Sequence, residues 1–110
     1  MLFQVIAISS IAQNCKILPA HFYSYEQAIS WVKNASFKIK EDVNTSKSSW
    51  IRSASYYSCD GKVGYFIFST DSKEYIHEGI PVEIWNKFKN ADSFGSYYDH
   101  YIRKKYRFYL

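Results

Sequence analysis

The sequence contains few of the residues that interrupt or cross-link a chain. Among its 110 residues there are two cysteines, two prolines, four glycines and one methionine. Two cysteines are too few for the disulfide framework of a small secreted domain, and neither forms a Cys-x-x-Cys pair or a cluster with histidine. We therefore expect Cys15 and Cys59 to be reduced thiols in a cytoplasmic protein, and we expect no metal site.

Long apolar runs are also missing. No stretch approaches the roughly 20 apolar residues that a membrane-spanning helix requires. The first residues carry no Lys or Arg, and polar residues interrupt their apolar ones, so they do not resemble a secretion signal. We expect no membrane partner, and the apolar residues 2–8 are typical of a covered strand.

What remains is the composition of a globular chain with many aromatic rings. Apolar residues make up 47% and charged residues 22%, which indicates one folded domain. Aromatic residues reach 20%, and they favour strands and ring-lined surfaces. The net charge of +4 allows an anionic partner without requiring one.

Residue spacing predicts the secondary structure. Residues 2–8 and 17–22 are expected to be strands, and residues 25–34 a helix that Ser24 caps and Gln27 supports as in a capping box. Residues 40–49 are polar and predict a linker. Strands at residues 50–58, 62–69 and 73–78 follow, with a hairpin at Asp60 and Gly61. Helices are expected at residues 81–91, beginning near Pro81, and from residue 94 to about residue 104.

These elements predict an α+β fold. It contains a three-stranded antiparallel sheet followed by two C-terminal helices, in residues 48–110. Residues 1–47 are expected to form a β-β-α extension that packs on this sheet.

The second half of the chain also carries a recognisable order of residues. Its positions are Ser49, Ile51, Phe68, Tyr75, Gly79, Ile80, Pro81, Ile84, Trp85, Phe88, Ala91, Ser93, Gly95, Tyr97, Tyr98, Ile102, Arg103 and Tyr106. In this order the chain resembles the KTSC family, a short domain of bacterial and phage-type proteins and of the C-terminus of some lysyl-tRNA synthetases. It departs from the family at His77, where a second Tyr is usual, and at Asp99, where Asn is usual. The resemblance implies no reaction, and it implies a nucleic-acid partner through the synthetase context.

The last helix has one apolar side and a basic end. At helical spacing Phe94, Tyr97, Tyr98, Tyr101 and Ile102 share a stripe, so we expect most of these rings to be core. Two interpretations of the basic end stay open. It is either a solvated helix end that favours the helix dipole, or a surface whose cations contact phosphates while nearby rings stack on bases. The residues of this second interpretation are Arg103, Lys104, Lys105 and Arg107 with Tyr106, Phe108 or Tyr109.

Other candidate positions lie outside this tail. Arg52 and Lys62 are cations of the predicted sheet. Tyr75 and His77 share a strand face, so they either stack on a base or belong to the core. Ser93 and Gly95 begin the last helix, where free amides attract an anion or where Ser93 is a plain cap.

No residue pattern indicates catalysis, because no nucleophile has an evident base and the histidines are scattered. We expect no cofactor. The sequence predicts a non-catalytic domain that binds RNA or DNA. The alternative is a protein-protein interaction module, such as a homodimeric adaptor or an inhibitor encoded by a phage or mobile element.

Overall fold

The structure is a computed structural model that describes residues 13–110. Its elements in chain order are β1 (Gln13–Asn14), a 3-10 turn (Cys15–Ile17), α1 (Tyr25–Asn34), β2 (Ala35–Ser36), β3 (Ile39–Val43), β4 (Ser53–Ser58), β5 (Val63–Ser69), β6 (Glu74–Pro81), α2 (Val82–Lys89) and α3 (Phe94–Tyr101). Within these residues no helix combines the length and the apolar character that a bilayer crossing demands. The predicted strand at residues 2–8 lies outside the described residues.

The main sheet is antiparallel, with strand order β3-β4-β5-β6. The predicted α+β fold with an antiparallel sheet is therefore confirmed, but the sheet has four strands instead of three. Four of the five residues of the added strand, β3, lie in the segment 40–49 that was predicted to be a linker. Ile39 and Val43, the first and last residues of β3, pack against the core, while Lys40, Glu41 and Asp42 between them are exposed. A solvated edge strand of this kind has too few apolar residues to be distinguished from a linker.

The segment before α1 also differs from the prediction. Residues 17–22 were expected to be a strand, whereas Ile17 ends a 3-10 turn and residues 18–22 contain no regular element. Two of their apolar side chains are used in packing, because Phe22 is buried in an apolar cluster and Leu18 packs against the same cluster. Pro19 cannot donate to a strand ladder, which disfavours a strand here.

The two cysteines form a disulfide. Cys15 and Cys59 are 44 residues apart in sequence, and their Cα atoms are 5.8 Å apart. The expectation of reduced thiols is therefore wrong. The fold brings the 3-10 turn with Cys15 beside the end of β4, which Cys59 directly follows. Neither the number of cysteines nor their separation along the chain predicts that the two lie close together. The cysteines no longer provide a reason to place the protein in the cytoplasm.

The helix boundaries follow from their caps. α1 covers the predicted residues, and the Ser24 hydroxyl accepts the Gln27 N–H at 3.1 Å. Pro81 stands at the N-cap of α2. Ser93 caps α3, which ends at Tyr101, about three residues before the predicted end. The basic residues therefore belong to an irregular turn after the helix.

Apolar clusters cover both faces of the sheet. The larger cluster lies between the sheet and the helices α2 and α3, with Trp85, Tyr56, Phe66, Phe68 and Phe88 among its fully buried side chains. The smaller cluster lies on the opposite face and contains Phe22, Ala28, Ile29, Val32, Tyr57, Ile67, Ile76 and Phe108. The sheet is thus a middle layer, with α1 on one face and α2 and α3 on the other.

The end of the chain passes around the β6 edge of this sheet. Tyr106 packs against the larger cluster, whereas Phe108 belongs to the smaller one on the other face. The crossing is fixed to β6, because the His77 ring bonds to the Tyr106 carbonyl and the Glu78 carboxylate accepts the Tyr109 N–H at 3.1 Å. The basic residues of the tail are consequently held beside β6.

Candidate nucleic-acid interface

Four cations lie in the turn that follows α3 and in the irregular segment directly after it. Arg103, Lys104, Lys105 and Arg107 are all exposed. Arg103 lies 3.5 Å from the Asp99 carboxylate, as predicted from their spacing, and both side chains are at least half exposed. An exposed pair of this kind is weak and leaves the guanidinium available to another anion.

The rings near these cations differ in exposure. Tyr109 is 70% exposed and Tyr101 is 48% exposed, and the ammonium group of Lys105 lies 5.7 Å from the centre of the Tyr101 ring. Tyr106 is half-buried. Phe108 is buried against Phe22, with ring centres 6.0 Å apart. The prediction that Phe108 offers a stacking surface is therefore wrong.

His77 is buried and both of its ring nitrogens have partners. A carbonyl only accepts, so Nδ1–H donates to the Tyr106 carbonyl, and Nε2 accepts the Tyr98 hydroxyl at 2.8 Å. Burial lowers the pKa of His77, although the bond to the Tyr106 carbonyl opposes this shift. The histidine acts as a neutral bridge between β6, α3 and the tail, and its ring is not available to a base.

Tyr75 is only partly buried. One side of its ring stacks on Phe68, with centres 4.9 Å apart and planes 12° apart. The ammonium group of Lys73 lies 4.9 Å from the centre of the same ring. Tyr75 thus belongs in part to the core, as one interpretation of the sequence had it, and in part to the surface.

Arg52 directly precedes β4, and Lys62 directly precedes β5. Arg52 donates from Nε to Asp71 at 2.8 Å, and this contact with the carboxylate raises the pKa of Arg52. Its backbone N–H bonds to the carbonyl of Ser69, the last residue of β5, whereas Lys62 directly precedes the first residue of β5. The two cations therefore occupy opposite ends of one strand, and the fold does not bring them together.

Ser93 and Gly95 begin α3, as predicted. The Ser93 hydroxyl accepts the Ser96 N–H at 3.2 Å, which is the bond of an ordinary cap. Gly95 is buried, and the group that approaches its backbone is the indole of Trp50. The close approach that glycine permits is used for packing here.

A cleft of about 850 Å³ lies beside the tail, between α1 and β6. Its residues are Tyr25, Glu26, Ile29, Ser30, Lys33 and Asn34 from α1, Lys73, Glu74, Tyr75, Ile76 and His77 from β6 and the turn before it, and Tyr98 from α3. Sequence reasoning identified Tyr75 and His77 but missed the α1 side of the cleft. The apolar stripe of α1 predicts a buried face, but nothing in the sequence indicates which strand it lies beside.

A sequence profile of the KTSC domain matches residues 47–106, more than half of the chain. The chain belongs to the KTSC domain family. The KTSC region includes strands β4 to β6, helices α2 and α3, and the turn as far as Tyr106. No curated protein and no solved structure matches the chain.

The boundaries of the KTSC region divide the candidate interface. Arg103, Lys104 and Lys105 lie inside it, as does the β6 side of the cleft, whereas α1, Arg107 and Phe108 lie outside. β3 also precedes the match, although it pairs with β4 in the KTSC sheet from Ile39 to Val43. The KTSC domain of this chain is therefore surrounded by elements of the flanking sequence, and these elements complete both the sheet and the cleft.

Proposed function

We propose that the protein binds single-stranded nucleic acid through its basic segment, defined as residues 101–109. The observation that supports this proposal is the exposure of four cations in the short stretch of chain between the exposed rings of Tyr101 and Tyr109. Cations supply phosphate contacts, and exposed rings supply stacking surfaces for bases.

The basic segment is held in place before any ligand arrives. The Tyr106 carbonyl is bonded to His77, Phe108 is buried, and the Tyr109 N–H is bonded to Glu78. These contacts fix the backbone on both sides of Arg107 while leaving its side chain in solvent. A backbone that is already ordered loses less conformational entropy on binding.

Single strands fit this surface better than duplexes. The exposed rings contact a base only when its flat face is free, and bases in a duplex are stacked on one another. Neither RNA nor DNA is favoured by the residues of the segment, so both are included in the test.

The test is a fluorescence polarisation titration of labelled single-stranded RNA and DNA at increasing salt. Each phosphate contact releases counterions, so the logarithm of the affinity should fall linearly with the logarithm of the salt concentration. The double variant Arg103→Ala with Lys104→Ala removes two contacts, and we expect it to reduce the slope by about 1.4. Lys16→Ala with Lys38→Ala removes the same charge from two exposed lysines near the disulfide, and it should leave the slope unchanged.

Two results would count against the proposal. An absence of binding at micromolar protein and low salt removes nucleic acid as the partner, and it leaves the protein-interaction module as the class to examine. Equal loss of slope in both double variants shows a general effect of net charge and not a contact surface.

A further inference from the structure

We propose that the cleft between α1 and β6 holds one unstacked base of the bound strand. This inference rests on the proposed function, and it specifies the ligand as a single strand with a base that can leave the stack. The basic segment would then bind the backbone, while the cleft selects for the presence of a base.

The cleft has the ring surfaces that a base requires. Tyr25, Tyr75 and Tyr98 all line it, and Tyr25 is 49% exposed. Tyr75 is only partly buried, and its contact with Phe68 holds the ring from one side. Lys73 now lies over this ring, and its ammonium group is exposed and free to move to a phosphate. The ring face under Lys73 is therefore a surface on which a base can stack.

Two lysines line the cleft, and each can contact a phosphate next to that base. Lys33 is paired with Glu74, and the two side chains are 43% and 38% exposed. Ion pairs at this exposure are weak, so a phosphate can compete for Lys33. Lys73 is the second cation, and Glu26 is the other acidic residue among those that line the cleft.

The β6 backbone adds hydrogen-bonding groups. Thr70 and Lys73 form a hydrogen-bonded pair, and the register then places Phe68 with Tyr75 as the next such pair. Because bonded and non-bonded pairs alternate in an antiparallel ladder, the backbone groups of Glu74 and Ile76 point away from β5. A base carries donors and acceptors on its edge that suit such groups.

The same geometry disfavours an added peptide strand. The tail crosses the β6 edge at His77 and Glu78, so only Glu74 and Ile76 present outward backbone groups before the crossing. Strand addition depends on a longer row of main-chain bonds. A short edge flanked by rings and lysines suits one planar heterocycle better than an extended peptide.

The cleft is continuous with the basic segment. His77 lines the cleft and bonds to the Tyr106 carbonyl. On the other side, Tyr25 lines the cleft and its ring centre lies 5.9 Å from that of Phe108. A strand bound along the basic segment therefore passes directly by the mouth of the cleft.

The experiment compares a short single strand that carries bases with an abasic strand of the same length and the same number of phosphates. We expect the base-carrying strand to bind about tenfold more tightly or better. Tyr75→Leu keeps an apolar contact with Phe68 but removes the ring, and it should abolish most of this difference without changing the salt slope. Tyr23→Leu makes the same exchange at a residue that is 94% exposed and does not line the cleft, and it should leave the difference intact.

A photo-crosslink on the unaltered protein provides a readout that does not depend on whether Tyr75→Leu folds. A strand that contains 5-iodouridine should crosslink to the peptide that contains Tyr75 or to the one that contains Tyr25. Crosslinks confined to Tyr101 and Tyr109 overturn the inference, since the bases would then stack on the basic segment alone.

The two proposals fail in different ways. If neither strand binds, the proposed function is wrong and the inference falls with it. If both strands bind equally and the Arg103→Ala, Lys104→Ala variant weakens both, the phosphate contacts of the basic segment stand, but neither the cleft nor the exposed rings of Tyr101 and Tyr109 bind a base. A difference between the strands that survives in folded Tyr75→Leu also overturns the inference.

Discussion

The indole of Trp50 lies directly against the backbone of Gly95. A Cβ atom placed on Gly95 would be 2.3 Å from the indole nitrogen, which no side chain tolerates. The same indole meets Phe68 and Tyr98 edge-on, at ring-centre distances of 6.1 Å and 6.0 Å. Trp50 therefore joins the segment before β4 to the first turn of α3, and it does so because position 95 has no side chain.

This contact predicts the sign of a substitution. Replacing a helical glycine by alanine ordinarily stabilises a helix by about 1 kcal/mol. Here we expect Gly95→Ala to lower the free energy of unfolding by about 1 to 3 kcal/mol, because the indole must move. Urea unfolding measures the change. In a Trp50→Ala background the same substitution should become neutral or stabilising, and an equal loss in both backgrounds would show that the indole is not the cause.

Glu41 on β3 supports the buried Trp85. Its carboxylate accepts hydrogen bonds from the ammonium group of Lys89 and from the indole N–H of Trp85, both at 2.8 Å, and these bonds lower the pKa of Glu41. Glu41→Ala leaves the Trp85 N–H without its acceptor, so we expect a loss of about 1 to 3 kcal/mol in thermal or urea unfolding. Lys89→Ala removes the partly exposed ion pair and the ammonium group that lies 5.7 Å from the centre of the Trp85 ring, but it leaves the acceptor of the Trp85 N–H in place and should cost less than about 1 kcal/mol. Equal effects of the two variants would contradict the role of Trp85.

His77 predicts a loss of stability in acid. Its pKa is lowered in the folded protein, so the unfolded chain binds the extra proton first as the pH falls through about 6.5. Protonation also removes the lone pair of Nε2 that accepts the Tyr98 hydroxyl. We expect the free energy of unfolding to decrease between about pH 7 and about pH 5. In His77→Gln this part of the pH dependence should disappear, and its persistence would assign the effect to other groups.

The disulfide predicts a dependence on reductant. In the chain-entropy model, a bond between residues 44 apart stabilises the fold by about 4 kcal/mol. We expect reduction to lower the melting temperature of the native protein. The variant with Cys15→Ser and Cys59→Ser should melt near the temperature of the reduced protein, whether or not reductant is present. If the native protein melts at the same temperature in both conditions, the bond does not form.

Local patterns predicted local structure well. α1 was predicted from its cap at Ser24 and from the spacing of its apolar residues. The hairpin was predicted from Asp60 and Gly61. In the structure Gly61 has a positive φ of 82°, and the Asp60 carboxylate accepts two backbone N–H groups. β3 was missed because only two of its residues, Ile39 and Val43, are apolar, while the core-facing position between them is the charged Glu41. The disulfide was missed because it depends on the fold as a whole and not on either cysteine's neighbours.

The site was predicted only in its composition. The sequence indicated which tail residues are cations, and the structure shows them exposed. It could not indicate that the tail turns around β6 and buries Phe108. Phe108 and Tyr109 are adjacent aromatic residues, and nothing in the local sequence indicates which of the two is buried. The cleft forms because α1 lies beside β6. These two elements are far apart in sequence, and no local pattern predicts that they are neighbours.

Phe108 packs against Phe22 and Tyr25, so the segment that follows the KTSC match contacts the segment that precedes it. A fragment trimmed to residues 47–106 would lose both flanks at once and uncover Tyr57, Ile67 and Ile76 on one face of the sheet. Such a bare apolar face promotes self-association. Truncation at the boundaries of the family match is therefore expected to expose apolar surface. Binding measured with an isolated KTSC fragment would involve a surface that the whole chain keeps buried.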